Sequence, residues 1–188
     1  MKIIETVGIV LKTMDFKEKD SILTFLTRDA GKKAGVLHGG KSVRSGNAAK
    51  AELFVINHFE YSEKPSAEMV RIRKCELLES FPPLRKNYAK ILHANYFSEL
   101  MLQCEIPAVE SQEYFDLLMD TLAQLSTAKT GIEIKCNVEL QLLNLLGIQP
   151  NMETCVQCEG ELWQKQSGRN LSPKFKVPYQ LDAGLGGI

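Results

Sequence analysis

Over the first 80 positions, polar and hydrophobic residues alternate in short runs separated by turn-forming clusters. From Thr6 to Lys12 the alternation sets Val7, Ile9 and Leu11 on one face, and Ser21 to Thr27 is a compact run of β-formers. The polar stretch DFKEKD joins these two strands, and Arg28-Asp29-Ala30-Gly31 leads into a third from Lys32 to Leu37. A fourth strand is expected from Leu53 to Tyr61. A fifth, from about Met69 to Leu78, follows the turn Glu63-Lys64-Pro65-Ser66. Five short strands with almost no helical period predict a small closed barrel, because closure removes exposed sheet edges. An OB-type barrel is the natural candidate, although strand count alone also permits an SH3-like one.

At Phe81-Pro82-Pro83 the period changes to three and four residues. Leu84, Tyr88, Ile91, Tyr96 and Leu100 recur at that spacing, then Phe115, Leu118, Leu122 and Leu125, then Ile132, Leu140, Leu143 and Leu146. Three amphipathic helices are predicted, broken at Ile106-Pro107, at Ser126 to Gly131, and at Gly147 with Pro150. The pattern loosens from Asn151 onward and holds too little apolar surface for a fold of its own. The expected class is therefore α+β: an OB-fold barrel over residues 1–80, an all-α domain over 81–150, and an irregular tail over 151–188.

Composition narrows the functional classes. A chain of 188 residues that is 44% hydrophobic can bury a barrel and a helical bundle. No run approaches the ~18 apolar residues of a membrane span, and MKIIETVGIVLKT lacks the apolar core of a signal peptide. A cytoplasmic protein is expected. Five cysteines, three of them scattered among apolar residues, speak against a disulfide framework. The net charge of zero conceals a division: residues 1–80 hold 14 Lys and Arg against 11 Asp and Glu, a net of +3, whereas residues 81–150 hold 5 against 8, a net of −3. Different partners are suggested for the two parts.

Gly35-Val-Leu-His-Gly-Gly40-Lys41-Ser42 satisfies the P-loop expression, in which amides and a lysine cradle phosphates and a serine holds magnesium. Such a loop must run from a buried strand into a helix N-terminus. Here a polar run, Val43 to Asn47, intervenes, and the next apolar segment reads as strand. Nucleotide binding through Gly35–Ser42 is thus the lesser reading, and a basic loop the greater.

Between residues 28 and 50, Arg28, Lys32, Lys33, Lys41, Arg44 and Lys50 face a single acid, Asp29, among glycines and serines that suggest mobility. The fifth strand adds Arg71 and Arg73 on one face, with Lys74 at its end. A cationic loop on a small barrel suits a nucleic-acid backbone, where each contact releases condensed counterions without reading bases. Phe16, Phe54 and Tyr61 are candidate stacking platforms, but aromatics in alternating strands usually belong to the core.

Several segments together resemble RecO proteins. They are Glu5 to Leu11, Lys19 to Thr27, Gly31-Lys32, Gly39-Gly40-Lys41-x-x-Arg44-Ser45, Glu76 to Phe81 with Leu84-Arg85, and Leu140 to Gly147 with Pro150 and Cys155-x-x-Cys158. Their order and spacing carry the resemblance across nearly the whole chain. It implies an N-terminal OB-fold, a helical domain and often a zinc ribbon. It also implies binding of single- and double-stranded DNA, annealing of strands coated by single-stranded DNA-binding protein, and cooperation with RecR in loading RecA. The glycine-basic segment of the family falls on Gly39 to Ser45, which explains the P-loop match. Ser42 and Val43 stand where many relatives carry further basic residues, placing more of the expected DNA contact on Arg28, Lys32 and Lys33.

Cys155-x-x-Cys158 has the spacing of one zinc knuckle, making the tail a partial zinc-ribbon-like element. Structural zinc needs four ligands, and no second pair follows, so zinc would require a pair supplied from elsewhere; no cofactor is required. No nucleophile, base and orienting group stand at useful spacing, so a non-enzymatic mediator is expected. A nucleotide-binding protein and a protein-interaction adaptor are the alternatives. The helical domain is expected to offer an apolar groove to partners such as the acidic tail of the single-stranded DNA-binding protein.

Overall fold

The computed structural model describes residues 2–44, 46–64, 67–127, 131–151, 163–165 and 171–173. Five strands, β1 (Lys2–Phe16), β2 (Asp20–Thr27), β3 (Lys32–Leu37), β4 (Ile56–Glu63) and β5 (Val70–Glu79), close a barrel in the order β1-β2-β3-β5-β4. This is the connectivity of an OB-type barrel. All neighbours are antiparallel except β3 and β5, which pair in parallel over Gly35↔Val70 and Val36↔Arg71. One turn of helix, α1 (Asn47–Lys50), interrupts the connection between β3 and β4.

Inside the barrel, Val10, Leu23, Phe25, Phe59, Tyr61 and Ile72 form the core, with the Phe25 and Phe59 rings stacked 4.1 Å apart. Rings so arranged add a specific attraction to the area they bury. The opposite face of the same strands is also apolar. Ile9, Leu11, Leu26 and Ile56 point away from the lumen and pack with Phe97, Met101, Phe115 and Leu118 of the helices. The predicted Ile9 and Leu11 face thus lies against the helices, and Val10 on the other side fills the barrel. Being covered on both faces, these strands blur a simple alternation.

The helices are α2 (Pro82–Arg85), α3 (Tyr88–Gln103), a 3₁₀ turn at Ala108–Glu110, α4 (Ser111–Thr127) and α5 (Ile132–Leu145). The Asn87 side chain caps α3 by accepting from the Lys90 amide. Ser111 at the start of α4 donates to the Thr27 carbonyl (2.6 Å) and accepts from the Gly31 amide (3.0 Å), tying α4 to the β2–β3 turn. Met1–Gly147 forms one compact unit in which barrel and helices share a core. Ile148–Ile188 is a second unit, within which Trp163–Lys165 pairs antiparallel with Leu171–Pro173.

Several expectations change, the first strand among them, which runs from Lys2 to Phe16 rather than from Thr6 to Lys12. The fourth strand begins at Ile56 rather than Leu53, because Phe54 adopts a left-handed backbone (φ 64) that turns its ring into the helix-facing core. The 38–51 connection is also no free loop. It carries α1 and is pinned at both ends: Gly39 to Asp20 (2.9 Å), the Lys41 amide to the Lys19 carbonyl (3.1 Å), and the Ala51 and Lys50 carbonyls to Thr13 (2.5 Å) and Asn57 (2.9 Å).

The P-loop reading fails on the same geometry. Neither glycine faces a phosphate cradle: a Cβ on Gly35 would come within 2.7 Å of Val70, and one on Gly40 within 2.7 Å of Ser21. Gly35 permits the close β3–β5 contact that closes the barrel, and Gly40 lets the turn lie on β2. Lys41 and Ser42 precede no adjoining helix, and the Lys41 ammonium pairs with Asp15 at 3.0 Å. The single turn α1 starts five residues after Ser42, too late and too short to present the required amides.

Candidate nucleic-acid interface

The outer surface of β5 is built by a bulge. Val70 and Ile72 point into the barrel, so Arg71 and Arg73 point outward by alternation. Strict alternation would then turn Lys74 inward. Instead the register moves from Tyr61↔Ile72 to Glu60↔Lys74, leaving Arg73 as the extra residue and placing both Arg73 and Lys74 on the surface before Cys75 returns to the core. Three cations thereby share one outer face.

Across from them stands α1. Lys50 from this turn, with Asn47 and with His38 at the end of β3, completes a cleft of about 610 Å³ lined also by Arg71, Arg73, Lys74 and Glu60. Arg71 and Arg73 are exposed and form no ion pair among the described residues. Lys74 differs: it pairs with Glu76 at 2.8 Å, a contact that raises the lysine and lowers the glutamate from their ordinary pKa values. The Cys75 thiol on the cleft wall is pushed up to about 12 by burial, which favours its protonated form at neutral pH. What the cleft offers is fixed positive charge, suited to phosphate oxygens.

The other predicted cations are dispersed. Lys32 lies at the barrel–helix junction, where its ammonium donates to the Leu102 and Cys104 carbonyls (2.5 Å each) at the end of α3, and burial lowers its pKa. Arg28 sits 3.6 Å from Asp116 and over the Phe115 ring, Lys33 pairs with Glu63 at 2.8 Å, and Lys41 is held by Asp15. Arg44 is exposed, with no ion pair among the described residues. Of the nine predicted cations, the structure brings Lys50, Arg71, Arg73 and Lys74 together in the cleft. His38 and Asn47, which the sequence did not single out although they lie within the same 28–50 stretch, line the cleft beside them.

Phe54 and Tyr61 are core residues, and Phe16 is half-buried beneath the Lys17 ammonium, so none presents an open stacking face. Cys155 and Cys158 lie outside the described residues, among which no group of three or more His, Cys, Asp or Glu could hold a metal ion. Between α3 and α5 runs an apolar groove of about 510 Å³ lined by Tyr96, Leu100, Leu142 and Leu146. Glu105 and Glu139 also line it, and Lys135 lies 3.8 Å from Glu139 and over the Tyr96 ring.

Comparison with known proteins agrees with this architecture. The model for the recombination protein O N terminal domain matches residues 1–81, and that for the recombination protein O C terminal domain matches residues 85–175. The DNA repair protein RecO of Acaryochloris marina is 32% identical over 180 residues, covering 94% of this chain and 59% of its own. Those of Moorella thermoacetica and Syntrophus aciditrophicus are 30% and 28% identical over 162 residues, covering 86% of this chain and 59% and 62% of theirs. The chain thus spans about six-tenths of the length of these curated relatives. With both domain models matched in order, on a closed five-stranded barrel followed by helices, the chain belongs to the RecO family of DNA repair proteins.

Proposed function

We propose that this chain binds the phosphate backbone of single- and double-stranded DNA through the cleft between α1 and β5, and acts as a non-enzymatic recombination mediator. The observation that carries the reading is the gathering of Lys50, Arg71, Arg73 and Lys74 around one cleft, with both arginines free of ion pairs among the described residues. Fixed cations screen phosphate repulsion between two strands, which is what annealing requires, and the burial of Phe54 and Tyr61 in the core favours backbone over base contact on the barrel. Strand annealing on DNA coated with single-stranded DNA-binding protein, and cooperation with RecR in loading RecA, extend this reading from the family resemblance. On the same reading the protein needs no cofactor and works in the cytoplasm at the nucleoid. No helix among the described residues is long and apolar enough to cross a membrane.

Fluorescence anisotropy with a labelled single strand across a salt series tests the proposal. Affinity should fall steeply with salt, and ATP with magnesium should change nothing. An absence of binding at low salt would remove the DNA reading and leave that of a protein adaptor.

A further inference from the structure

A chain of hydrogen bonds links an acidic residue outside the cleft to a lysine inside it. Asp20, at the start of β2 and with its side chain 17% exposed, accepts from the Gly39 amide (2.9 Å) through one carboxylate oxygen and meets the His38 ring (3.1 Å) through the other. The His38 carbonyl accepts from the Asn47 side-chain amide (3.0 Å), and the Asn47 oxygen accepts from the Lys50 ammonium (3.0 Å). At the far end, buried Asn57 donates to the Lys50 carbonyl (2.9 Å). His38, Asn47 and Lys50 all line the cleft. Asp20 therefore holds the near end of the segment whose far end rests on the barrel interior.

We infer that Asp20 is a positioning residue of the cleft: through His38, Gly39 and Asn47 its carboxylate fixes the Lys50 ammonium opposite Arg71 and Arg73. The inference rests on the DNA-binding reading and assigns that site a preformed geometry. Its consequence runs against simple electrostatics. Removing a carboxylate near a phosphate track should strengthen DNA binding by lowering repulsion. If the carboxylate instead places a cation, its removal releases Lys50 and weakens binding although the protein has become more positive.

Glu60 supplies the matched comparison. It lines the cleft, stands opposite Lys74 in the β4–β5 register, and belongs to no step of the Asp20–Lys50 chain. Asp20→Ala and Glu60→Gln change net charge by the same amount, so charge alone predicts the same direction for both.

The experiment measures anisotropy of a labelled oligothymidylate against the wild type, Asp20→Ala, Asn47→Ala and Glu60→Gln, each over a salt series. Asp20→Ala and Asn47→Ala are expected to bind more weakly and to lose about one phosphate contact from the salt dependence, a flattening of ~0.7 in the logarithmic slope for a single strand. Glu60→Gln is expected to bind more tightly. The uncharged Asn47→Ala cuts the chain on the surface, and so keeps the test decisive if Asp20→Ala fails to fold. Tighter binding by Asp20→Ala, or an unchanged slope in Asn47→Ala, would overturn the positioning role while leaving the DNA-binding reading intact. Failure of the wild type to bind would sink that reading, and this inference with it.

Discussion

Lys32 and Arg71 stand on neighbouring strands of one barrel and use their charge in opposite ways. Lys32, on β3, turns toward the helices and spends its donors on the carbonyls that end α3. Arg71, on β5, is exposed and has no ion pair among the described residues. The first cation joins two parts of the fold, and the second is available to a partner. A basic residue near a nucleic-acid site is thus not by that fact a contact residue. What separates the two is whether tertiary structure has already supplied an anion or a carbonyl.

The helix-facing side should respond in stability and the cleft in binding. Phe54→Ala on the helix-facing side should show the largest effect, a loss of about 3–5 kcal/mol read from chemical denaturation, since it empties a buried ring site. An effect below ~1 kcal/mol would mean that the ring adds little to this core, since alanine carries a Cβ and keeps the cost of the left-handed backbone. Lys32→Met should come next, destabilising by about 1–3 kcal/mol through loss of charge-assisted hydrogen bonds to the α3 carbonyls. Its DNA salt dependence should match the wild type; a flatter slope would erase the distinction between the two faces.

In contrast, the double variant Arg71→Ala/Arg73→Ala should keep its thermal midpoint and lose about two phosphate contacts, flattening the single-strand slope by ~1.4. Lys41→Ala is expected to shift stability by no more than ~1 kcal/mol, because its partner Asp15 is highly exposed and surface pairs contribute little. The smallest effect concerns pH. The Gly39 amide first, and then His38, hold the Asp20 carboxyl below its ordinary 3.8 in the fold. Because the folded value is the lower one, the stabilisation is present above 3.8 and is lost as pH falls through the folded value. Denaturation midpoints of wild type and Asp20→Ala should therefore converge on acidification; a constant gap would show that the carboxylate's charge is not what anchors the turn.

Much of the barrel was legible because turn residues mark off short runs of β-formers. Ser21 to Thr27 and Lys32 to Leu37 read correctly, since turn residues bound them on both sides. The fourth strand was overextended at its start because Phe54 and Val55 are buried, and Leu53 half-buried, without being strand: one left-handed residue redirects the chain while leaving its apolar character unchanged. The candidate site was legible only as a supply of positive charge. Nothing in the run Arg71 to Lys74 announces a bulge, because a bulge follows from pairing with Glu60 and Tyr61 on another strand.

Local pattern by itself determined the α+β class, the change from strands to helices near Phe81, and the excess of positive charge over the first 80 residues, since periodicity, turn residues and charge are properties of neighbours along the chain. Only the tertiary structure decided that Gly35 and Gly40 serve barrel packing rather than a phosphate, that Lys32 belongs to a junction, and that Lys50 faces Arg71 and Arg73 across a cleft. Each of these depends on which distant backbone lies within a few ångströms, and barrel closure sets that distance.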